Sequence, residues 1–493
     1  MIKLDLPVHI LTYEPQTLIV MNKFLILIPS ILFLLSCGKD DDGGGVIIDP
    51  SEALGCTDEL ASNFNSEALF PDDSCTYPAI TCDQCDYVLD PNTYGFDNDV
   101  LKIPVGAVVC FPAGQREAAF FNNFHGTADK PYKFINCGGQ VKIVTTTTAA
   151  VRFFESSFIR FTGTGSSDKY GIQIDAGQGD YGFVAERKST DFEVDHIEIL
   201  ASKNSGLSIR TDPTCDGGSN RGAFVQRNTI IHHNRIANTA FEGLYIGGSH
   251  WHSGLNVGGC SELQIEAELK GVKIYNNILE NIGRDGIQVG SAIEDSEIYN
   301  NIVDGFGKTN EEFHQSGIQI NPGTTGKVYN NYILNGTGRG IFLSGFDLLV
   351  FNNVVVNTGR DGVITIDAEP ISGKGFQIVN NTFYSVKGDM LEMISNKTSN
   401  NVMYNNVGVN VEGEIMKEGN ANITIDVQNN IKSSDLSDIG FVDPGKGDFR
   451  LLSSSSLIDG GKNVDSYNIK FDFLFNNRVT GEGIDIGAHE FKK

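Results

Sequence analysis

A repeated pair of asparagines is the feature that most restricts how this chain can fold. The phrase Val-Lys-Ile-Tyr-Asn-Asn-Ile at residues 272–278 recurs in related form five more times. Apolar and polar residues alternate within each phrase, which is the period of a β-strand. The second Asn of each pair stands at Asn277, Asn301, Asn331, Asn353, Asn381 and Asn406, at steps of 24, 30, 22, 28 and 25 residues. Repeats of about 20 to 50 residues are typical of stacked architectures, so the pattern predicts a solenoid of short strands.

A second phrase lies between successive asparagine pairs. It reads Gly-Ile-Gln-Val at residues 286–289 and returns in related form at Gly317, Gly340 and Gly362. Two or three short strands per repeat describe one coil of a parallel β-helix. At an inside corner of such a coil, an Asn side chain can bond to the backbone and to the Asn of the next coil.

These repeats resemble those of the right-handed parallel β-helix proteins, a superfamily that includes pectate lyases and many other polysaccharide-active proteins. The resemblance covers about residues 90 to 450. It implies an all-β fold, a right-handed single-stranded parallel β-helix, with a small Cys-bounded module in front. The catalytic motifs of polygalacturonases and pectate lyases are not matched, and a fold alone does not assign a reaction.

The N-terminal residues predict export and a lipid anchor. Phe24 to Leu35 form a largely apolar run that is too short to span a bilayer and is typical of a signal peptide. The run ends in Leu34-Leu-Ser-Cys37, which resembles the lipobox of bacterial lipoproteins and implies acylation of Cys37. Lys39-Asp-Asp-Asp42 resembles the surface-export signal of Bacteroidetes lipoproteins. The resemblance implies an outer-membrane lipoprotein exposed on the cell surface.

The composition along the chain divides it into six expected segments. They are an extension upstream of Met21 (1–20), the signal peptide and lipobox (21–37), a Gly/Asp linker (38–54), a Cys-bounded module (55–80), the β-helix (82–428) and a C-terminal segment that caps its last coil (429–493). A cap is expected because an open terminal coil exposes unpaired strand edges.

The cysteine count favours disulfides. Apart from Cys37 the chain has eight cysteines, an even number in an exported protein. Plausible pairs are Cys56–Cys75, Cys110–Cys137 and Cys215–Cys260, which leaves Cys82 and Cys85 over. Sequence alone does not fix this connectivity.

The expected partners follow from charge and location. The formal net charge of -25 argues against nucleic acid, whose binding requires Lys and Arg. An extracellular polysaccharide and the membrane, reached through the lipid anchor, are the expected partners of a monomer. The one cofactor that the residues suggest is Ca²⁺. Asp58, Asp72 and Asp73 of the Cys-bounded module offer the hard oxygen ligands that it prefers, although the module also fits a disulfide-stapled spacer.

The Gly-Ile-x-Ile strands predict a binding surface. Alternation along stacked strands points Leu207, Leu244, Ile287, Ile318 and Ile341 inward and Ser208, Tyr245, Gln288, Gln319 and Phe342 outward. Amides, charges and aromatic rings on such an outward strip suit sugars. The expected substrate contacts are Arg210, Tyr245, Trp251, Gln288, Gln319 and Asn321.

Two catalytic interpretations use residues near these strands. Glu242 and Asp285 precede the Gly on adjacent coils, which places them about 5 Å apart, and such a pair can divide the roles in glycoside hydrolysis. Alternatively a uronate chain is cleaved by β-elimination, with His314 or Tyr245 as the base and Arg210 or Arg339 as the neutralising cation. The candidate catalytic set is therefore Glu242, Asp285, His314 and Arg339. A non-catalytic glycan-binding protein and an adhesive or structural surface protein remain alternatives.

Overall fold

A computed structural model of the protein describes residues 54–58, 61–66, 68, 70–71, 74–367 and 374–492. The predicted signal peptide, Cys37 and nearly all of the Gly/Asp linker lie outside these residues, as do Asp72 and Asp73. Within the described part of the chain, no helix is long and apolar enough to cross a membrane.

One wall of the solenoid is a parallel sheet of twelve strands, formed by the second repeated phrase and its precursors. Each strand pairs in register with the same strand of the next coil, so that Leu244 lies beside Leu207 and Ile287. Its strands are Gly95–Asp97, Ala119–Asn122, Ala149–Phe154, Tyr181–Glu186, Leu207–Ile209, Leu244–Ile246, Ile287–Val289, Ile318–Ile320, Ile341–Leu343, Val363–Thr365, Leu391–Met393 and Met416–Glu418.

The other walls belong to a sheet of 24 strands that lies on both sides of the asparagine corner. It starts with Tyr87–Val88, Val108–Arg116 and Tyr132–Val144, and Ala292–Glu294 is an accessory strand. The strands before the corner are Ser157–Thr162, Thr190–Asp195, Val225–His232, Glu268–Tyr275, Glu297–Tyr299, Gly326–Tyr329, Leu348–Phe351, Phe376–Val379, Asn401–Tyr404 and Ile425–Gln428. Those after it are Ile172–Ala176, Ile197–Ser202, Arg235–Ala237, Ile278–Glu280, Ile302–Asp304, Tyr332–Gly336, Val354–Thr358, Thr382–Tyr384, Val407–Val409 and Ile431–Ser433. The predicted all-β, right-handed parallel β-helix is confirmed.

Short elements complete the described chain. Leu54–Gly55 pairs with Phe70–Pro71 in parallel, and Phe441–Asp443 pairs with Asp448–Leu451 in antiparallel fashion. The described α-helices are Asn98–Leu101 and Leu436–Ile439, and the 3₁₀ turns are Cys82–Gln84, Pro444–Lys446 and Asp465–Tyr467.

The paired asparagines form a buried ladder along the corner. Asn301 Nδ2 donates to Asn331 Oδ1 at 3.0 Å and to the carbonyl oxygens of Ile274 and Tyr299. The same side-chain contact joins each Asn to the next, from Asn234 to Asn430, at 2.8 to 3.1 Å. These amides satisfy corner carbonyls that water cannot reach, which explains why the repeat requires Asn.

The core fills the space between the sheets. The predicted inward side chains, from Leu207 to Ile341, have no exposed surface, and they belong to one apolar cluster that runs from Leu89 to Val411. Burial of this size supplies the main driving force for folding.

Residues after 434 pack along the side of the coils. Phe441, Phe449 and Ile486 cover Val354 and Val407 on the outer face of the large sheet. The strands of the last coil, such as Ile425–Gln428, remain largely exposed. The C-terminal segment therefore covers an apolar flank as well as following the last coil, because the valines at these outward positions need burial.

Two of the three disulfides predicted from the sequence are present in the structure. Cys56–Cys75 and Cys215–Cys260 form as expected. The predicted Cys110–Cys137 bridge is wrong, because Cys82 bonds to Cys137 and Cys85 bonds to Cys110. Cys110 and Cys137 lie on adjacent strands, and the Cys82–Gln84 turn places one cysteine beside each of them.

Peptide mapping tests this connectivity. We expect non-reducing digestion to yield one cross-linked species that joins the 82–85 segment to the peptides of both Cys110 and Cys137. After cleavage between Cys82 and Cys85, it should separate into the pairs 82–137 and 85–110. A peptide that joins Cys110 directly to Cys137 would contradict the structure.

The Cys-bounded module is tied to the β-helix by a buried ion pair. Asp58 accepts from both terminal nitrogens of Arg160, at 3.3 and 2.6 Å, and from the Tyr77 hydroxyl at 2.8 Å. Its carboxylate, predicted as a Ca²⁺ ligand, is thus engaged by a guanidinium. The described part of the module therefore fits a spacer held by the Cys56–Cys75 disulfide, which is the alternative to a Ca²⁺ site.

Candidate functional site

Stacking of the Gly-Ile-x-Ile strands brings the two predicted carboxylates together. The backbone N–H of Gly243 donates to the Asp285 carbonyl and that of Gly286 to the Ser316 carbonyl, each at 3.0 Å. Glu242 and Asp285 therefore occupy equivalent positions on neighbouring coils. Both side chains are buried, with 3% and 0% exposed surface. Ser205 Oγ donates to Glu242 at 2.9 Å, and the Ser316 backbone N–H donates to Asp285 at 2.7 Å.

His314 closes over the carboxylates. Its Nδ1 lies 3.6 Å from Asp285 Oδ2 and 3.8 Å from Glu242 Oε1, and its side chain is 33% exposed. His314 is thus the member of the set that reaches the surface, with two buried carboxylates behind it. In the amide orientation that satisfies its neighbours, Gln319 donates to both Asp285 oxygens at 3.3 Å and to the Phe313 carbonyl at 3.0 Å.

Arg284 completes the cluster, and the sequence interpretation missed it. Its guanidinium lies 3.5 Å from Glu242 and 3.7 Å from the centroid of the Phe241 ring. It also makes a two-pronged contact with Glu311, at 2.8 and 2.9 Å. Its position next to Asp285 in the chain is the signal that could have revealed it. We call Glu242, Arg284, Asp285 and His314 the acidic cluster.

Arg339, predicted as a catalytic cation, is engaged elsewhere. It lies two coils beyond Asp285 and pairs with Asp361 at 3.5 Å, while its backbone N–H bonds to the Gln315 carbonyl. No described contact joins it to Glu242, Asp285 or His314. The structure therefore places Arg284, rather than Arg339, beside the two carboxylates.

The environment shifts the proton affinities of the cluster. Burial raises the pKa of Asp285 from 3.8 to about 6, against the opposing effect of the His314 ring and the Ser316 N–H. The Asp285 carboxylate raises the pKa of His314 above its ordinary value, and desolvation limits that rise. A buried carboxylate whose pKa is raised to about 6, next to a partly exposed imidazole, is suited to acid–base chemistry near neutral pH.

A pH series of stability tests this shift. Because the folded pKa of Asp285 is raised, its contribution to stability is complete below pH 3.8 and is lost as the pH rises through about 6. His314, whose folded pKa is also raised, acts in the same sense. We expect the stability of the protein relative to Asp285→Asn to fall by about 2–3 kcal/mol between pH 4 and 7, as measured by urea unfolding. A difference that is constant with pH would refute the shift.

The outward strip that the sequence predicts is covered by loops. Tyr245 bonds to Ser249 at 2.6 Å, and Gln288 donates to the same hydroxyl at 2.8 Å. Gln288, Gln319 and Asn321 are buried, so the expectation that they form an open sugar-contacting strip is wrong. The predicted strand register is confirmed, but the long insertions fold back over the outward side chains.

Arg210 and Trp251 pack within the same covering layer. Arg210 lies 4.7 Å from the centroid of the Tyr245 ring and pairs with Asp212 at 2.8 Å. Trp251 lies against Gly323, where a β-carbon would clash with the indole, and Arg221 stacks 4.2 Å from its centroid. Both residues anchor loops in the structure. Their predicted contacts with a ligand remain predictions.

Potential metal ligands meet at three places among the described residues. Cys85, Cys110 and Cys137 are in disulfides. Glu193 and Asp195 pair with the Arg160 guanidinium, and His232 Nε2 lies 3.2 Å from Glu193. Ligand atoms of Glu242, Asp285 and His314 lie within 4.8 Å of one another, a mixed oxygen and nitrogen set that fits Zn²⁺ or Mn²⁺ better than Ca²⁺. Arg284 beside Glu242 already supplies a positive charge there, which favours the proton-transfer interpretation.

Comparison with known proteins shows likeness of fold. The family model described as "Right handed beta helix region" matches residues 249–431, and no curated protein matches the sequence. Pectate lyase Pel9A is 14% identical over 85% of this chain and 97% of its own, with a TM-score of 0.47. The lacto-N-biosidase of family GH136 from Eubacterium ramulus is 13% identical over 71% and 67%, with a TM-score of 0.49. The PL6 alginate lyase AlyGC is 15% identical over 80% of this chain and 57% of its own, with a TM-score of 0.42.

Proposed function

We propose that this right-handed parallel β-helix protein cleaves an extracellular uronate-containing polysaccharide by β-elimination at the acidic cluster. The observation that carries the proposal is the order of burial. His314 is partly exposed, while Asp285 and Glu242 lie buried behind its Nδ1. This is the arrangement of a general base oriented by a carboxylate.

The roles follow from the geometry. Nδ1 faces the carboxylates and so carries the proton, which leaves the lone pair of His314 Nε2 for the substrate. Nε2 removes the proton next to the uronate carboxylate, the electron pair forms a new C=C bond, and the glycosidic C–O bond breaks. The leaving oxygen takes up a proton from water, and the His314 imidazolium returns its proton to the solvent. The Asp285 charge stabilises the imidazolium that results. The Arg284 guanidinium neutralises the enolate, and the substrate carboxylate displaces Glu311 from it.

Glycoside hydrolysis is the second candidate. It is favoured by the paired carboxylates, since Asp285 with a pKa of about 6 has the raised value of a general acid and Glu242 stands beside it. The burial of both side chains makes direct contact with a sugar ring less favourable than contact through His314.

Incubation with a panel of plant and algal polysaccharides, with and without EDTA or Ca²⁺, separates the candidates. Elimination should raise the ultraviolet absorbance of unsaturated uronate together with new reducing ends. New reducing ends without that absorbance would establish a hydrolase. Retention on a glycan in gel electrophoresis without either product would establish a binding protein and overturn the enzymatic proposal.

We also propose that the protein is a surface lipoprotein that meets its substrate outside the cell. The support is the Leu34–Cys37 lipobox pattern and the acidic residues that follow it. Metabolic labelling with a fatty acid should mark the protein and should fail for Cys37→Ser. Protease treatment of intact cells should remove it. Labelling that persists in Cys37→Ser would overturn the anchor.

A further inference from the structure

A second column of side chains lies beside the Asn ladder. The first residue of each pair has a left-handed backbone, with φ from +52 to +56°, which Asn tolerates better than most residues. The column runs through His196, His233, Asn276, Asn300, Asn330, Asn352, Asn380, Asn405 and Asn429. We call it the corner column.

The C-terminal segment covers one part of the corner column. Asn352 donates to the Phe471 carbonyl at 2.7 Å, and Asn405 donates to that of Lys462 at 2.8 Å. Asn330, Asn380 and Asn429 bond in the same way to carbonyl oxygens of residues 460–487. Along this stretch every amide of the column therefore has an oxygen acceptor laid across it.

Between His196 and Asn330 the column lines an open groove. The groove has a volume of about 800 Å³, within the range of ligand sites. Tyr77 of the Cys-bounded module stands at one end, 5.0 Å from the His196 ring. Tyr332, Phe473 and Phe475 stand at the other. The groove is thus the gap that the two covering segments leave on the column.

The polar groups in the gap are held in place. The His196 Nδ1 bonds to the buried Asp195 at 2.7 Å, and Arg160 Nε donates to the same carboxylate at 3.0 Å. His196 Nε2 has no partner among the described residues. Asn276 Nδ2 lies 3.1 Å from His233 Nε2. The side-chain amide of Asn300, one coil further on, has no described partner, unlike its equivalents under the C-terminal segment.

The composition of the groove identifies a class of ligand. Among the described residues that line the groove, Asp168 and Lys169 are the only acidic and basic side chains apart from the imidazoles, although the chain carries a net charge of -25. The other lining groups include amides, the hydroxyls of Ser166 and Ser167, aromatic rings and the apolar side chains of Ile278 and Ile302. Sugar hydroxyls both donate and accept, as these groups do, and a pyranose face packs on an aromatic ring.

We propose that this groove is a second carbohydrate site, which binds a neutral oligosaccharide through the amides of Asn276 and Asn300, His196 and the flanking aromatic rings. It shares no residue with the acidic cluster and does not depend on cleavage there. A neutral chain segment held in this groove would keep the protein on a polymer whose uronate residues are processed elsewhere on the solenoid.

The test is calorimetric titration of the purified protein with neutral hexasaccharides of β-linked glucose, xylose, mannose and galactose. We expect at least one to bind, and Asn300→Asp to weaken that binding by at least tenfold. This substitution keeps the shape and the left-handed backbone but removes the two N–H donors. Asn357→Asp is the matched control, since Asn357 is exposed with φ +52° and lies outside the groove. It should bind as the wild type does.

Two further measurements separate this site from the proposed enzyme. His314→Gln should retain the hexasaccharide, and Asn300→Asp should retain its melting temperature and its rate on short uronate substrates. The proposal is overturned if none of the four hexasaccharides binds, if Asn300→Asp and Asn357→Asp bind equally well, or if only an extended peptide corresponding to residues 460–487 occupies the groove.

Discussion

Replacement of His314 by Gln is expected to lower the rate of polysaccharide cleavage by about 10²- to 10⁴-fold, the usual contribution of a general base. Gln fills similar space and keeps a donor toward Asp285 and Glu242, so the fold should persist. The loss should appear in kcat more than in KM, because the proton is transferred only in the transition state. Initial rates of unsaturated-uronate formation measure both parameters.

His252→Gln is the matched control. His252 lies exposed in the loop beside Trp251 and belongs to no part of the acidic cluster, so its rate should equal that of the wild type. The wild-type kcat/KM should also fall as the pH drops through the raised pKa of His314, since only the neutral imidazole accepts a proton. Equal rates for wild type and His314→Gln would remove His314 from the mechanism.

Substitution of Asn331 by Ala should destabilise the protein by about 2–6 kcal/mol. The amide of Asn331 donates to the carbonyl oxygens of Ile298 and Tyr329, and its Oδ1 accepts from the backbone and side chain of Asn301. At least two buried groups lose their partner, each at a cost of about 1–3 kcal/mol. Urea unfolding gives the difference in free energy.

Lys327→Ala, on the same coil, provides the comparison. Lys327 is half exposed and its ion pair with Glu297 lies at the surface, so the change should stay within about 0.5 kcal/mol. A ladder substitution that costs no more than this would mean that water enters the corner and replaces the amide.

The sequence was most informative where one physical requirement recurs in every coil. Each buried corner needs an amide, so an Asn recurs from Asn277 to Asn406 at steps of 22 to 30 residues. These steps predicted the length of each coil and the register of its strands. The same register placed Glu242 next to Asp285. These are short-range consequences of stacking, and they do not require knowledge of the loops.

Contacts made by the long insertions could not be read in this way. The loop that carries Ser249 covers Tyr245 and Gln288, and the loop that carries His314 covers Asp285. Whether an outward side chain faces solvent depends on how such loops fold back, which no repeat encodes. For the same reason the sequence predicted Arg339 and missed Arg284. Both stand shortly before a Gly-Ile-x-Ile strand, and they differ in the loops that pack against them.

The cross-bonding of residues 460–487 to the corner column has a consequence for how the chain matures. Those residues are synthesised after every coil they cover, yet they supply the acceptors for amides as early in the chain as Asn330. Until residues 460–487 have folded against the coils, these amides face water and the valine flank near Val354 is exposed. Such transient surface invites association between unfinished chains. A chain that is interrupted before residue 460 would keep this surface exposed to water.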